Sequence, residues 1–405
     1  MHRSLKPLSN SENREEAARI VRGPDHLTSD VGEFMELRLA EFFEVPVLGL
    51  GAEGKGSLCL CGGRTALLAR GLGNLQNPDC YREYLSRIKL LQEMMGTRPR
   101  LVAHDLHPLY LSTQYALKCG TPRFAVQHHH AHMAAVAAEH ALNSPGIGIC
   151  CDGLGYGDYG AALSCEILIS HDAQFERLGQ LEYFFVPGCD AAAIENWRPA
   201  AALLRQAFGT AWRGLVPSTC PGFSEQACAL IDHAANQRSK PDTTSSLGRV
   251  FDGISFLLGL CERNDTEAAA AIQLEKAASD DRVESYAYET TIRDGRIEMS
   301  VAPITRGIVQ DLKRRTPLGV ISARFHESIA RMLAASATLA SDATRISNVI
   351  LSGGSFLNKR ILNRVRERLE ARHLRVLTPK RVPFGDGNIA LGQAVVAGKA
   401  SKGGR

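Results

Sequence analysis

The sequence VQHHHAH, Val126–His132, opens an alanine-rich stretch of the chain. Nearly all residues from Ala131 to Ala141 are strong helix formers, which predicts that the histidines occupy the first turn of a helix. His128 and His132 are four residues apart, so a helix places both imidazoles on one face, where both can reach a single ion. His129 stands where a zincin helix carries its glutamate, so the pattern supplies ligands without that general base. The alternative interpretation is an amphipathic helix with a few surface histidines.

The composition indicates a globular chain with room for more than one core. The 405 residues are 44% hydrophobic, which is enough for two or three domains, or two lobes, each with a sizeable core. The 47 basic and 43 acidic side chains nearly cancel and leave +4, which gives no reason to expect nucleic acid or a membrane surface as the main partner. The local basic runs Lys313–Arg315 and Arg364–Arg372 are interpreted as solvated helix faces.

The cysteines favour a reducing compartment. There are eleven, an odd number, and several lie in apolar runs such as Ile147–Cys151, where a reduced thiol behaves as a small hydrophobe. The sequence contains no CxxC, which argues against a zinc ribbon or a thioredoxin-like redox site. Met1–Glu16 has no apolar core and no run of 18 apolar residues follows, so we expect a soluble, cytoplasmic protein.

A glycine-rich turn follows the predicted strand Ile147–Cys151. It contains Gly153, Gly155 and Gly157, whose lack of a Cβ atom lets backbone amides approach a phosphate closely. Asp152 stands at the tip of the strand, and we predict it to be a metal ligand and a catalytic carboxylate. A plain hairpin with a glycine-rich turn is the alternative interpretation.

Two further predicted strands end in residues that could bind a ligand. His104 and His107 stand at the polar end of the strand Leu101–Asp105, where open α/β sheets place ligand-binding groups, and we predict catalytic roles for them. Gly353 and Gly354 connect another buried strand to a helix, which is the geometry of a turn that approaches a nucleotide.

Other candidates stand at predicted helix starts. Ser246 could donate its hydroxyl or the helix N-terminal amides to an anion, or it could be a simple N-cap. Asp386 heads the last helix either as an N-cap or as a ligand. A rough apolar stripe from Asp30 through Phe43 predicts a helix near the start of the chain.

Taken together, these motifs resemble the HypF carbamoyltransferase family of nickel-iron hydrogenase maturation, specifically its C-terminal domain. The matching segments are collinear over about residues 46 to 397: Gly51–Glu53, Asp105–Pro108, Tyr110–Thr113, Val126–His132, Asp152–Gly157, Trp197–Arg198, Ser245–Arg249, Ser322–His326, Leu351–Gly354 with Asn358, and Ile389–Gln393. The domain is also similar to the TsaD-type tRNA threonylcarbamoyltransferases and to the antibiotic carbamoyltransferase TobZ. The resemblance implies an α/β, two-lobed actin-like ATPase fold of the ASKHA/TsaD-like type, with helical insertions.

The resemblance also implies a metal- and nucleotide-dependent carbamoyltransferase. The family holds its metal with the two histidines of HxxxH, the aspartate of DGxG and the aspartate of a DG turn near the C-terminus, which fall here on His128, His132, Asp152 and Asp386. Two imidazoles and two carboxylates suit Fe or Zn better than Mg or Ca. ATP or carbamoyl-adenylate is expected in the cleft between the lobes, at Gly153, Gly155, Gly157, Asp190, Ser246, Gly353, Gly354 and Asn358. The implied acceptor is the C-terminal cysteine of a HypE-like partner protein.

The chain departs from the family pattern in several places. Thr266–Ala271 replaces the usual YEGQAA, Cys189 stands where glycine is usual, and Gly385–Asn388 replaces NDGG. Residues 1–44 are too few to encode the acylphosphatase, zinc-finger and YrdC-like domains of full-length HypF, so we expect a YrdC-type protein to supply the adenylate in trans. We expect an unassigned extension over 1–44, lobe I with the histidine helix and phosphate loop over 45–170, and lobe II with the GG turn over 171–405.

Three other functions are compatible with the same sequence. A catalytically impaired regulatory paralogue would keep the fold and the metal while the altered segment Thr266–Ala271 no longer supports turnover. A carbamoyltransferase could act on another acceptor. A TsaD-like tRNA modifier or a kinase of the same fold is the third, but the modest net charge and the HHHAH form argue against tRNA.

Overall fold

The computed structural model describes residues 30–31, 34–156, 162–215, 224–237 and 243–403. Its strands are β1 (Asp30–Val31), β2 (Phe34–Gly49), β3 (Leu58–Ala69), β4 (Leu101–Asp105), β5 (Arg123–Val126), β6 (Gly146–Tyr156), β7 (Ala162–His171), β8 (Gln174–Leu181), β9 (Phe184–Phe185), β10 (Thr243–Thr244), β11 (Glu289–Arg293), β12 (Arg296–Ser300), β13 (Asn348–Ser352) and β14 (Arg375–Leu377).

The α-helices in the same parts of the chain are α1 (Pro78–Met95), α2 (Leu111–Lys118), α3 (His128–Glu139), α4 (Ala191–Ile194), α5 (Trp197–Phe208), α6 (Glu225–Gln237), α7 (Leu247–Leu257), α8 (Ala269–Ala277), α9 (Ala302–Lys313), α10 (Leu318–Thr344), α11 (Lys359–Glu370) and α12 (Ile389–Gly403). Short 3-10 helices span Gly209–Leu215, Gly354–Leu357 and Gly385–Asn388. None of the described helices is both long enough and apolar enough to cross a membrane.

The chain forms two compact units that do not follow the predicted lobes. The first comprises the chain up to Val126 together with the segment from Asp386 onward, and the second comprises Gln127–Gly385. The predicted boundary after residue 170 falls inside β7 and therefore inside the second unit. The structure divides the chain just before the histidine helix instead, and the last helix returns to the first unit.

The first unit is built on a mixed sheet. Among the described residues its strand order is β1-β2-β4-β5, with β3 antiparallel to β2. Strand β4 lies between β2 and β5 and is parallel to both. Helix α12 packs on this sheet so closely that a Cβ atom on Gly49 would overlap the Ala390 carbonyl. The side chain of Gln393 fixes this contact, because its Oε1 accepts hydrogen bonds from the backbone amides of Leu50 (3.1 Å) and Gly51 (2.8 Å).

The helix predicted over Asp30–Phe43 is wrong, because the structure has strands β1 and β2 there. Met35, Leu37 and Leu39 are buried at a spacing of two, which is the period of a strand with one buried face. The apolar residues of this stretch fit a rough helical stripe as well as an alternating one, and pairing with β3 decides between them. Residues 34–44 are accordingly part of the sheet and not an extension.

The second unit is built on a larger sheet. Its main strand order in the described residues is β11-β12-β8-β7-β6-β13-β14, with β6 antiparallel to β7 and parallel to β13. One face of the sheet carries the main core, which includes Ile149 and Cys151 of β6. The opposite face carries a smaller cluster that joins Met133 and Val136 of α3 to Cys150. Alternate residues of β6 therefore point to different cores.

Candidate functional site

Helix α3 is held against the sheet by its apolar side. Met133 and Val136 are fully buried against β6 and β13, and Gly148 of β6 provides the space, since a Cβ atom there would overlap Met133. Gln127 caps the helix: its Oε1 accepts a hydrogen bond of 2.7 Å from the backbone amide of His130. The predicted helix is therefore present, and the histidines occupy its first turn with His128 and His132 fully buried.

Asp152 lies directly below this first turn. It follows Cys150 by two residues in β6, and so it points to the face of the sheet that carries α3. Its Oδ2 lies 3.2 Å from His128 Nε2 and 3.1 Å from His132 Nε2. The ring centroids of the two histidines are 5.0 Å apart. The fold thus brings together two imidazoles of α3 and a carboxylate of β6, although the carboxylate is 20 or more residues from either histidine in the sequence.

The other carboxylate oxygen of Asp152 is fixed by the backbone. Oδ1 accepts hydrogen bonds from the amides of Gly153 (2.8 Å) and Gly354 (3.2 Å), which leaves Oδ2 directed at the histidines. Burial acts to raise the pKa of Asp152, but the hydrogen bonds and charges of His128 and His132 outweigh it and hold the pKa well below its usual range. The carboxylate is therefore ionised and oriented at any pH near neutral.

These residues fit a divalent transition metal. The ligand atoms of His128, His132 and Asp152 lie within 4.8 Å of one another in a buried position. Imidazole nitrogens with carboxylate oxygens suit Zn or Fe. The sequence also predicts Asp386 as a ligand; it is the first residue of the other unit's C-terminal segment and lies in the 3-10 turn Gly385–Asn388, with its backbone carbonyl accepting from Ser57 Oγ at 3.3 Å. Its role as the fourth ligand stays a prediction.

A buried ionic network behind α3 was not predicted from the sequence. Glu166 is fully buried on β7, directly across from Cys150, and accepts hydrogen bonds from His129 Nδ1, from Arg177 Nε and from Gln127 Nε2 (3.3 Å). Burial acts to raise the pKa of Glu166, but His129 and Arg177 lower it below the ordinary value. The network holds two residues of the helix start against the sheet: Gln127, the N-cap of α3, and His129, which follows the candidate ligand His128.

The glycine-rich turn after Asp152 lies only partly within the described residues. Gly153 is exposed and Gly155 belongs to β6, whereas Gly157 lies outside the described residues. The N-terminus of α7 approaches this turn closely, since a Cβ atom on Gly248 would lie 3.3 Å from the Gly153 Cα. An anion at the turn would thus lie near the positive end of an 11-residue helix.

Ser246 acts as the cap of that helix. Its Oγ accepts a hydrogen bond from the Arg249 amide (3.1 Å) and donates one to the Gly153 carbonyl (2.7 Å). The hydroxyl is therefore engaged in joining α7 to the glycine-rich turn. Of the two roles that the sequence allowed for Ser246, the structure shows the N-cap, and direct anion binding remains a prediction.

The predicted turn at Gly353 and Gly354 supports Asp152. Gly353 has φ +102°, and a Cβ atom there would overlap the Cys151 carbonyl. At Gly354 a Cβ atom would lie 2.9 Å from Asp152 Oδ1, the oxygen that its own amide holds. Glycine is needed at both positions because β6 and the end of β13 come into close contact. This turn therefore contributes to the candidate metal site, and its contact with a nucleotide stays a prediction.

Asn358 is held by His326, which belongs to the matching segment Ser322–His326 but was not among the predicted site residues. Its Oδ1 caps α11 by accepting from the Ile361 amide (3.0 Å), and its Nδ2 lies 3.0 Å from His326 Nε2. Both ends of the amide are thus engaged within the fold. The sequence could have indicated the cap, but not the contact between residues 32 positions apart.

The predicted catalytic histidines belong to the first unit. His104 is buried, and its Nδ1 donates to the Asp105 carbonyl at 2.7 Å, which fixes the proton on Nδ1 and leaves Nε2 as an acceptor. His107 stacks on Tyr110 with ring centroids 4.1 Å apart, and its Nδ1 accepts from the Leu109 amide (3.3 Å). Asp190, the remaining candidate, is exposed at the start of α4.

Two family models cover most of the chain. Residues 43–139 match the HypF Kae1-like domain, and residues 148–393 match the second subdomain of the carbamoyltransferase Kae1-like domain. The chain belongs to the HypF family. The resemblance stated from the sequence is therefore confirmed.

Several curated HypF proteins are similar over nearly all of the chain. Carbamoyltransferase HypF2 of Cupriavidus necator is 35% identical over 87% of this chain, and HypF of Rhizobium leguminosarum bv. viciae is 32% identical over 87%. The chain spans about half the length of these two relatives, 46% and 45%. It spans 92% of a further relative from C. necator, the carbamoyltransferase HypF homolog, at 35% identity.

Solved structures of HypF have the same fold. The structure of full-length HypF in the phosphate- and nucleotide-bound form superposes with a TM-score of 0.85 at 32% identity, covering 90% of this chain and 57% of that one. HypF of T. kodakarensis gives a TM-score of 0.81 at 26% identity, with 91% and 49% covered. The predicted α/β fold is confirmed, and it is the fold of these HypF structures.

Two departures from the HypF pattern keep an unusual backbone. Ala268, at the position of the family's glycine in YEGQAA, has φ +58°, and Cys189, where glycine is usual, has φ +46°. Both lie in the left-handed region that glycine enters without steric cost. Ala268 and Cys189 therefore hold left-handed conformations at a steric cost that glycine would not incur.

Proposed function

We propose that this chain transfers a carbamoyl group in hydrogenase maturation, with a metal and a nucleotide, to the C-terminal cysteine of a HypE-like acceptor. The observation that carries the proposal is the convergence of His128, His132 and Asp152 within a fold of the HypF family. Relatives that share this fold are named carbamoyltransferases, and one was solved with phosphate and nucleotide bound.

The metal site would consist of His128, His132, Asp152 and Asp386, with Fe or Zn as the ion. A bound cation would supply Lewis acidity that polarises the carbonyl of the carbamoyl group. The chain itself supplies the preorganisation: the amides of Gly153 and Gly354 hold one oxygen of Asp152, so that the other oxygen is directed at the histidines without rearrangement.

His104 is the proposed proton acceptor. In the transfer, the thiol sulfur of the acceptor forms a bond to the carbamoyl carbon, the bond from that carbon to the phosphate oxygen breaks, and AMP leaves. The thiol proton passes to His104 Nε2, which is the acceptor nitrogen in the tautomer that donates from Nδ1 to the Asp105 carbonyl. His107, whose Nδ1 accepts from the Leu109 amide, is the second histidine proposed to take part in the transfer.

The nucleotide would bind through backbone groups more than through side chains. Gly153, Gly155 and Gly157 are proposed to hold phosphate, with the N-terminus of α7 near Gly153. The nucleoside is proposed to lie near the Gly353–Gly354 turn, with Asp190, Ser246 and Asn358 as further contacts. The hydroxyl of Ser246 and the amide of Asn358 already serve as helix caps, so their contribution would be mainly to position backbone.

The carbamoyl-adenylate is proposed to come from a YrdC-type protein acting in trans. Activation of carbamate with ATP needs its own site, and the two family models that match residues 43–139 and 148–393 are both Kae1-like. The purified chain should transfer the group when the adenylate is supplied. Exchange of pyrophosphate into ATP that depends on carbamoyl phosphate should require the added YrdC-type protein, and robust exchange by the chain alone would overturn this division of labour.

The metal assignment is tested by His132→Ala. This substitution should remove most of the metal found by elemental analysis, together with carbamoyl transfer to a peptide that ends in the acceptor cysteine, followed by mass spectrometry. His171→Ala is the matched control, because His171 is an exposed histidine at the end of β7 and should keep both properties. A His132→Ala protein that retains its full metal content would refute the site.

The altered segment Thr266–Ala271 is the basis of a second candidate function. In this alternative the chain is a paralogue that binds metal and nucleotide but turns over slowly or not at all, because the segment that contains the strained Ala268 no longer supports turnover. Wild-type protein that is loaded with metal, binds nucleotide and yields no carbamoylated peptide would support this alternative, whereas turnover at the level of a full-length HypF would exclude it.

A further inference from the structure

A cavity lined by arginines lies in the second unit, apart from the candidate metal site. Its volume is about 290 Å³, and it is lined by Arg282, Arg331, Arg360, Arg364 and Arg368, together with two other residues of α10 and two of the segment 281–283. None of the candidate metal ligands, glycine turns or predicted nucleotide contacts belongs to this lining. The cavity is thus a separate feature of the fold.

The helical spacing of the arginines explains how the cavity forms. Arg360, Arg364 and Arg368 follow one another at intervals of four, so they form one row of about 12 Å along α11. The next position in each turn is apolar, and Ile361, Val365 and Leu369 are all fully buried. The buried face fixes the rotation of the helix and leaves the arginine row at the cavity. The interpretation of Arg364 as part of a solvated helix face therefore has to be revised.

A single buried carboxylate organises the row. Glu327 of α10 is 8% exposed and accepts hydrogen bonds from Arg331 Nε (2.7 Å) and from Arg368, while Arg364 Nε lies 4.0 Å away. Shared between three guanidinium groups, this carboxylate holds their planes in place without neutralising them.

The lining carries a surplus of positive charge. Five guanidinium groups line the cavity, and only two of its lining residues, Asp281 and Glu327, are carboxylates. Two of the arginines also pair with carboxylates outside the lining, Arg360 with Asp280 at 2.8 Å and Arg364 with Glu367 at 3.8 Å, but both acidic side chains are mostly exposed, so solvent weakens these pairs. Within the described parts of the chain Arg282 has no ion-pair partner. Like charges gathered this closely are unfavourable unless an anion joins them.

We propose that this cavity binds a small anion with two linked phosphoryl groups. Guanidinium groups match phosphate oxygens in pairs, and a row of three arginines with Arg331 and Arg282 beside it offers more donors than one phosphoryl group can use. The only apolar side chains in the lining are Val283 and Ala323, and it contains no aromatic ring. A peptide or a nucleic-acid strand would need apolar or stacking contacts that this cavity lacks.

The proposal is tested by calorimetry with inorganic pyrophosphate. The whole chain is treated with a chelator and desalted first, so that pyrophosphate does not report on bound metal. A non-hydrolysable ATP analogue is kept at saturation so that the proposed phosphate turn is occupied. The wild type should then bind one pyrophosphate per chain, and more tightly than it binds inorganic phosphate at the same ionic strength. Arg364→Gln should weaken pyrophosphate binding about tenfold, the effect of one charge-assisted hydrogen bond. Arg364 is chosen because its contact with Glu327 is the longest of the three, so the fold loses little.

A matched control separates the site from a general effect of charge. Arg372→Gln removes the same charge from an exposed position just beyond α11 and outside the cavity, so it should leave binding unchanged. His132→Ala should also leave it unchanged, which distinguishes failure here from failure of the proposed metal site. Absence of pyrophosphate binding, equal weakening by both arginine substitutions, or tighter binding of an acidic peptide than of pyrophosphate would each overturn the proposal.

Discussion

Protonation of His326 should weaken the second unit in mild acid. His326 lies within α10 and is 1% exposed. Its Nδ1 donates to the Ser322 carbonyl at 2.8 Å, so the proton is on Nδ1 and the bare Nε2 accepts from Asn358 Nδ2 at 3.0 Å. A proton on Nε2 would face the amide hydrogens of Asn358 and remove this hydrogen bond. Asn358 caps α11, so the effect would extend to that helix.

The magnitude follows from the pKa of His326. Burial, with the charge of Arg360 as a smaller contribution in the same direction, lowers the pKa to about 4, although the bond to the Ser322 carbonyl acts the other way. An unfolded histidine titrates near pH 6.5, so the unfolded chain takes up a proton first as the pH falls. This contribution to stability is fully present above pH 6.5 and is lost as the pH falls toward 4. At pH 5 the loss is about 2 kcal/mol, and it reaches about 3 kcal/mol below pH 4.

Urea unfolding followed by tryptophan fluorescence measures this directly. Both tryptophans of the chain, Trp197 and Trp212, belong to the second unit, so the signal reports on the unit that contains His326. The wild type and His326→Gln are compared at about pH 7.5 and pH 5. Other groups titrate equally in both proteins. On acidification from about pH 7.5 to pH 5, the free energy of unfolding of the variant should therefore fall by about 2 kcal/mol less than that of the wild type. The same pH dependence in both proteins would refute the neutral, buried state of His326.

Three further substitutions test local features of the fold. Ala268→Gly should stabilise the protein by about 0.5 kcal/mol in thermal unfolding, because relief of the left-handed strain exceeds the added freedom of the unfolded chain; a lowered midpoint would contradict this. Gly353→Ala should lower the free energy of unfolding by at least about 2 kcal/mol more than Gly259→Ala does. Both positions have positive φ, but a Cβ atom meets the Cys151 carbonyl only at Gly353. Equal losses of stability would refute the close contact. Glu166→Gln should weaken metal binding about tenfold or more by releasing His129 and Arg177 behind the ligand helix, and an unchanged metal affinity would show that this network does not position α3.

The sequence by itself determined the features that depend on local periodicity. The pair His128 and His132 lies on one helix face because their spacing of four matches the turn of a helix. Asp152 was predicted as a candidate ligand because it follows an apolar run immediately before glycines, and the structure places it beside the two histidines. The apolar stretch from Asp30 to Phe43 shows where this reasoning fails, because its side chains fit both periods and pairing with β3 selects the strand.

Only the tertiary structure decided the contacts between distant segments. Glu166 meets His129 because the register of β7 on β6 sets it opposite Cys150, and nothing near Glu166 in the sequence indicates that neighbour. Asn358 was predicted to contact a nucleotide, and only the packing of α10 against the start of α11 reveals its bond to His326. The arginine row of α11 has the same spacing whether it faces water or Glu327. Such contacts depend on strand register and on how helices rotate to bury their apolar faces, and these are properties of the folded chain as a whole.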